Sequence, residues 1–400
     1  MAAGKPQKTV RLYETEGLML EFEAEVVSCR GLSGAGDGKY GIVLDRTAFF
    51  PGGGGQEFDT GIIGGIPVDK VFMTEETGEI CHVAESPIKP GTHVSCVVDA
   101  EKRIPRMECH TGEHVFSGVI YRLFGFNNVG FHMGAEYLTL DYDGVLDGEK
   151  LRKAEIEAND AVRRNVPVDV LFPDPEELSR MDYRSKKELS GIVRIVSIEG
   201  VDTCACCAPH FPRTGYVGLL TVLSFMPYKG GTRVLLLAGK AAALETLEKL
   251  DALKKAAALL SLKPKEVPGG VSNILGQLED ARRSKAALTY ELCSELLSRQ
   301  KNEKRYRLLV YEDVDPRTVI RLADDRAGDA LFFMAVTGAP GKKKYIIKSE
   351  KADLKAALPF INEILRGRGG GKPGEISGST ELGSYDEIEK AAEEIWKKLS

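Results

Sequence analysis

Residues Cys109–Gly118 read CHTGEHVFSG and set two histidines, His110 and His114, four positions apart. On a helix that spacing stacks both imidazoles on one face, one turn apart. Val115, Val119 and Leu123 then recur at four-residue intervals, which predicts a helix from about Glu101 to Leu123 with one apolar side. Only six histidines serve the 400 residues, so a pair on one helical face raises the question of a metal.

A second dense spot follows downstream. CACCAPH (204–210) puts Cys206 and His210 at the same i, i+4 spacing. Zinc prefers thiolate sulfur and imidazole nitrogen, and four such groups complete a tetrahedron. His110, His114, Cys206 and His210 supply them and let the ion tie two distant segments together. Cys204 and Cys207 compete with Cys206, since they form a CxxC of their own. His132, just after the first helix, is a further candidate, while His82 and His93 lie in strand-like runs and read as surface or core residues. HTGEH also fits H-x-x-E-H, the inverted zinc-peptidase motif, with Glu113 as general base. Sites of that kind take a carboxylate as third ligand and keep a position open for water, whereas the remaining ligands here are Cys and His.

Around this centre the chain alternates irregularly. EFEAEVVSC, YGIVLD, IPVDKVF and HVSCVVDA are β-rich runs within residues 18–100. PGGGGQ (51–56) interrupts them, and its glycines let the backbone approach a ligand or turn sharply. VGFHMGAEYLTLDYDG reads as a hairpin, DGEKLRKAEIEANDAVRRN as a helix around Leu151, Ile156 and Val162, and GIVRIVSIEG as a strand. VDTCACCAPHFPRTG reads as a loop before the strands YVGLLTVLSF and TRVLLLAG. The mixture without strict βαβ order predicts an α+β fold.

Beyond Gly239 two helices are predicted, 240–262 and 271–304, broken at KPKEVPGG by Pro264 and Pro268. Ile274, Leu278, Ala281, Leu288, Leu292 and Leu296 form a stripe on the second, which either packs on its own domain or supplies a dimer contact. Strands and helices return from Tyr306, followed by RGRGGGKPGEISGS and a final amphipathic helix. The domains expected are a β-rich, barrel-like subdomain (1–100), a metal-binding α+β domain (101–240), a helical linker (241–304) and a small α/β domain (305–400).

Composition bounds the rest. Hydrophobic residues make up 43% and charged residues 28%, the mix of a globular protein. A net charge of −5 excludes a globally basic nucleic-acid binder, so any RNA contact must come from local patches. RQKNEKRYR (299–307), GKKKYIIK (341–348) and RGRGGGK (366–372) are the candidates. The last is not a Walker loop, because Pro373 follows its lysine. No apolar run is long enough to span a bilayer, and the N-terminus has no signal-peptide core, so the cytoplasm is the expected location. Eight cysteines are then thiols or ligands rather than disulfides.

Taken in order, these pieces resemble the editing domain of alanyl-tRNA synthetases and the free-standing AlaX proteins. FFPGGGGQEFDTG is similar to that family's FYP-GGGQ-DTG segment, RMECHTGEHVFSGV to its M-x-x-H-T-x-x-H-L-L-S helix, and CACCAPHFPRTGYVG to its C-G-G-T-H loop. The resemblance covers about residues 12–240 well. The remainder resembles the C-terminal part of the long AlaX form, with RGRGGGKPGEISG in place of the family's GGGGRP. Ala208 and Pro209 depart from the family's small loop residues, and Gly112 stands where the family often has alanine; room beside the metal is one reading of that glycine.

The resemblance implies zinc on His110, His114, Cys206 and His210, favouring Cys206 over its neighbours. It implies hydrolysis of mischarged tRNA-Ala, chiefly Ser-tRNA-Ala and also Gly-tRNA-Ala, without the adenylate-forming core of a synthetase. Gln56 and Thr111 are the catalytic candidates. Gln56 carries both donor and acceptor to orient an ester carbonyl, a hydroxyl or a water. Gly53, Gly54 and Gly55 are candidates for substrate contact, and Arg366, Arg368, Lys372, Lys342, Lys343 and Lys344 for gripping tRNA. A homodimer through the linker or C-terminal domain is expected. The competing readings are a zinc peptidase and a non-catalytic, zinc-stapled RNA-binding protein.

Overall fold

The computed structural model describes residues 9–32, 38–75, 77–134, 137–185, 193–300, 305–328, 330–339 and 342–400. The chain divides into two compact units, Met1–Leu253 and Lys254–Ser400.

The first unit begins with strands β1 (Val10–Arg11), β2 (Glu21–Gly31), β3 (Tyr40–Leu44), β4 (Arg46–Thr47), β5 (Gly61–Ile63), β6 (Ile66–Met73), β7 (Ile80–Ala84) and β8 (His93–Val98). Six of them close a barrel in the order β2–β3–β7–β6–β5–β8, which leaves no unpaired edge. Alternation drives it: Phe22, Ala24 and Val26 of β2 turn inward while Glu21, Glu23 and Glu25 face water. Strand β7 lacks that alternation, since all five residues are buried, and no sequence pattern marked it.

Helix α1 (Ala100–Phe124) follows, capped by the Asp99 carboxylate at one end and by left-handed Gly125 at the other. It is the axis of the second core. Strands β9 (Asn128–Met133) and β10 (Leu138–Tyr142), helix α2 (Gly148–Arg164), strand β11 (Val168–Leu171), the short helix α3 (Pro175–Arg180) and strands β12 (Ile195–Ile198) and β13 (Asp202–Ala205) lead to β14 (Leu220–Tyr228) and β15 (Gly231–Ala238). The sheets run β14–β15–β10–β9 and β11–β12–β13. Val115, Phe116, Val119 and Ile120 of α1 pack with Leu138, Leu140, Leu151, Ala158, Ile198 and Val234. Val115 and Val119 are thus core as expected, whereas Ile156 on α2 is 51% exposed. Strand β13 lies near the start of the segment read as a loop.

Helix α4 (Gly239–Leu260) crosses the division between the units, and α5 spans Val267–Ser298. The break between them is shorter than predicted. Pro268 lies in the first turn of α5, where its missing N–H costs nothing. The second unit continues with β16 (Tyr306–Val310), α6 (Pro316–Arg326), β17 (Phe332–Thr337), β18 (Lys343–Lys348), α7 (Leu358–Ile364), β19 (Gly367–Lys372), β20 (Glu375–Thr380) and α8 (Tyr385–Leu399). Its sheet runs β16–β17–β18–β20–β19. Met334, Tyr345 and Ile347 pack on Ile361, Ile388 and Ile395, while Leu309, Phe333 and Ala335 meet Cys293, Leu297 and Leu322 on the other face. RGRGGGKPGEISGS holds the antiparallel pair β19–β20. On α5 it is Cys293 and Leu297 that pack; Ile274, Leu278, Leu288 and Leu292 stand exposed. Among the described residues no helix is long and apolar enough to cross a membrane.

Candidate metal centre

The mid-section of α1 is buried on all sides, and His110 and His114 project from it together. The segment after β13 brings Cys206 and His210 against them. One ligand atom from each of the four lies within 4.8 Å of all the others. Nε2 of His110 and Nε2 of His210 are each 3.3 Å from Cys206 Sγ. A tetrahedral ion with bonds of ~2.0–2.3 Å separates its ligand atoms by about 3.5 Å, close to these two spacings. The set of three imidazoles and one thiol, buried and converging with Nε2 inward, fits zinc.

Each histidine turns its other nitrogen to a protein partner. His110 Nδ1 is 3.0 Å from Gln56 Oε1, His210 Nδ1 is 3.3 Å from Thr111 Oγ1, and His114 Nδ1 is 2.9 Å from Asp202 Oδ2. A metal on Nε2 would leave Nδ1–H as the donor in each of these bonds.

The electrostatics of Cys206 suit a metal ligand. Burial pushes the Cys206 thiol up, but the imidazoles of His110 and His210 outweigh it and hold the thiol well below its ordinary range. Burial pulls His210 down to about 3. Burial also opposes charge on His114, yet hydrogen bonds to Asp202 and Cys206 raise it above the usual imidazole value. A thiolate among imidazoles is the form a metal binds.

The glycine run delivers Gln56. Gly52, Gly53, Gly54 and Gly55 all have positive φ, between 61° and 138°, a path that side-chain-bearing residues rarely follow. Gly53 and Gln56 close the turn through reciprocal backbone bonds of 2.9 and 3.0 Å. A Cβ at Gly55 would stand 2.5 Å from the ring of Phe131, which itself packs on His110 at 5.2 Å. Gln56 is 3% exposed, and its Nε2 has no partner among the described residues.

The other candidates separate. Cys204 is buried behind the cluster, and burial raises its thiol. Cys207 is exposed, beside Gly53 and Gly54. His132 is exposed and outside the cluster; its neighbour Phe131 approaches instead. Thr111 is fully buried, and its hydroxyl also accepts from Phe211 N at 3.2 Å. Glu113 Oε1 accepts from Ser117 at 2.8 Å and from Asn128 at 2.6 Å. Gly112 faces away from the ligands: a Cβ there would meet Leu220 at 2.8 Å. Its reason is room for the β14 side chain rather than for the metal.

Three residues escaped sequence reasoning. Asp202 and Arg184 form a paired brace behind His114, with Arg184 Nε 2.7 Å from Asp202 Oδ1. Arg194 braces the ligand loop by donating to the carbonyls of Cys206 and Ala208 at 2.8 and 3.0 Å. Those bonds fix the backbone on either side of Cys207. His114, Asp202 and Cys204 also lie close enough to resemble a second ligand set, but Asp202 is already committed to Arg184 and His114.

In the second unit, Lys342, Lys344, Arg366, Arg368 and Lys372 are exposed. Lys343 is buried, and its Nζ donates to the Gly383 carbonyl, which takes it out of the surface set. Across the sheet, Lys344 pairs with Ser379, which pairs with Arg368; Lys348 pairs with Glu375, which pairs with Lys372. Paired residues share a face, so Lys344 and Arg368 stand about 10 Å apart on one side. Residues 301–304 of RQKNEKRYR and Gly341 of GKKKYIIK lie outside the described residues.

Comparison with known proteins gives the class first. Residues 193–234, which hold Asp202, Cys206 and His210, match the family described as threonyl and alanyl tRNA synthetase second additional domain. Over most of its length the chain is a homologue of proteins named alanyl-tRNA editing protein. It is 25% identical to the Danio rerio protein Aarsd1 over 90% of this chain and 91% of that one. It is 32% identical to Pyrococcus horikoshii AlaX-L over 54% of each chain. An alanine–tRNA ligase of Pyrococcus abyssi is 33% identical over 72% of this chain, which spans 32% of that ligase's length. Among solved structures, the C-Ala domain of Aquifex aeolicus alanyl-tRNA synthetase aligns with 25% of this chain and 96% of its own, at 22% identity and a TM-score of 0.21. At that score it carries no weight for the fold.

Proposed function

We propose that the protein is a trans-editing hydrolase that cleaves the aminoacyl ester of mischarged tRNA-Ala, with Ser-tRNA-Ala as first substrate and Gly-tRNA-Ala as second. The observation that supports this most is the joining of Gln56, His110, His114, Cys206 and His210 in one buried cluster, in a chain whose homologues are named for alanyl-tRNA editing. A pocket sized for alanine rejects serine or glycine weakly, since one methylene is worth only ~1–3 kcal/mol, so a second pocket must correct the error.

Zinc is the metal proposed for His110, His114, Cys206 and His210; when bound it would supply a fixed positive charge there. The chain's own residues do the rest. Gln56 is held through Oε1 by His110 and keeps an unpaired Nε2–H₂ in a buried place, suited to the ester carbonyl or the serine hydroxyl. Thr111 serves the reaction by holding His210 and the backbone of Phe211. The backbone at Gly53–Gly55 forms the rim beside the substrate. Lys344, Arg368 and Lys372 on one sheet face, with Lys342 and Arg366 nearby, contact tRNA phosphates.

Four parts are proposed: a barrel (1–100), the metal-binding editing domain (101–240), a helical linker (241–304) and a tRNA-gripping domain (305–400). The exposed stripe of α5 makes the homodimer contact, and the protein works in the cytoplasm. The peptidase reading gains nothing from the cluster, because Cys206 fills the position such an enzyme keeps for water.

Deacylation of Ser-tRNA-Ala beside Ala-tRNA-Ala tests the proposal. Serine release that is lost in His114→Ala supports it. Tight tRNA binding with no serine release leaves a zinc-stapled RNA-binding protein instead.

A further inference from the structure

The three histidines are braced unequally. Gln56 offers His110 a neutral amide oxygen, and Thr111 offers His210 a hydroxyl at the longest of the three distances. Asp202 offers His114 a carboxylate oxygen at the shortest. It is the one charged brace of the three.

That carboxylate is fixed in turn. Arg184 grips it with two donors, Nε to Oδ1 at 2.7 Å and Nη2 to Oδ2 at 2.8 Å, and the Asp202 side chain is 2% exposed. Arg184 is itself locked to β13: its N–H donates to Thr203 O at 2.8 Å, and Ala205 N donates to its carbonyl at 3.0 Å. Helix α1 is cut away to admit the pair. A Cβ at Gly118, one turn beyond His114, would stand 2.6 Å from the Asp202 Cβ and 2.4 Å from the Val201 carbonyl oxygen. The helix therefore carries a notch on the His114 face where the start of β13 docks. Placing a carboxylate this deep would be costly without both partners.

We propose that Asp202, clamped by Arg184, is a positioning residue that fixes the tautomer and aim of His114 and makes it the most tightly held of the three imidazole ligands. A carboxylate on Nδ1–H raises the basicity of Nε2, and loss of such a partner weakens metal affinity about 10–100-fold. The inference rests on the metal-centre reading and is independent of the ester substrate.

The test is zinc affinity of the full chain, stripped with a chelator and titrated against a chromophoric competitor. Asp202→Asn should weaken zinc binding 10–100-fold while the metal-free protein keeps its wild-type circular dichroism. Thr111→Val should weaken it less. Zinc affinity of Asp202→Asn within twofold of wild type overturns the proposal, as does a wild type that binds no zinc. If Asp202→Asn does not fold, Arg184→Gln replaces it, with a several-fold loss expected and an unchanged affinity overturning the idea. A wild type that binds zinc tightly, loses it in Asp202→Asn and releases no serine would sink the editing reading and leave this one standing.

Discussion

Gln56 Oε1 lies 3.0 Å from His110 Nδ1, linking the glycine turn to the helix that carries His110 and His114. One amide thus has two faces, the oxygen spent on the histidine and the nitrogen left without a partner among the described residues.

Replacing Gln56 should separate these roles. Gln56→Ala is expected to lower kcat for serine release about 100-fold, the scale of one lost donor to a developing charge. Zinc content measured by atomic absorption should stay near one per chain, because His110 loses only a neutral brace.

The notch at Gly118 predicts a stability effect. Gly118→Ala gains helix propensity of about 0.5–1 kcal/mol but drives a methyl into the Val201 carbonyl and Asp202. Overpacking against backbone costs about 1–3 kcal/mol, so the net change in urea denaturation should be destabilising.

Arg103 and Asp59 form a buried ion pair, 0% and 1% exposed. Arg103 Nε donates to Asp59 at 2.9 Å, Nη1 to the Gly17 carbonyl at 2.9 Å, and Nη2 to the Ala48 carbonyl. The guanidinium thereby joins α1 to three stretches around the barrel. Arg103→Met should cost about 3–5 kcal/mol in the same denaturation experiment, since it strands the Asp59 carboxylate. Adding Asp59→Asn should recover part of that loss.

His82 gives the barrel a pH signature. Burial pulls it down to about 4 from its ordinary 6.5, with Nδ1 on the Ile42 carbonyl at 2.9 Å and Nε2 on Thr47 at 2.9 Å. Below pH 6.5 the unfolded chain takes up a proton that the folded barrel refuses until about pH 4. The stability is therefore complete above 6.5 and lost as pH falls through that window, by about 3 kcal/mol. His82→Gln should flatten that part of the stability–pH curve.

The row of Lys344 and Arg368 should carry tRNA affinity without chemistry. Lys344→Ala with Arg368→Ala should weaken tRNA binding uniformly across sequences. It should also reduce the slope of log K against log salt by about two, one per phosphate contact. Hydrolysis of a small seryl ester should be unchanged.

The convergence of His110, His114, Cys206 and His210 was legible because i, i+4 pairs are local and histidines are scarce. The structure does gather those four side chains, and Gln56 with them. The alternation of β2 likewise declared itself. What stayed hidden was set by long-range packing. Strand β7 is buried throughout and has no period of two to read. Asp202 reaches His114 across 88 positions, and no spacing rule links them. Gly112 looked like room for a metal, but only the position of Leu220 explains it. Lys343 sat in a basic run, yet the pleat turned it inward between two outward lysines.

The braces of the cluster come from the turn at Gln56, from Thr111 on α1 and from Asp202 at the head of β13, with His210 its last member in the chain. On the ribosome the centre therefore cannot be assembled until the chain has emerged past His210. A metal bound there is a late event in synthesis, and its presence reports that barrel, helix and sheet have already docked.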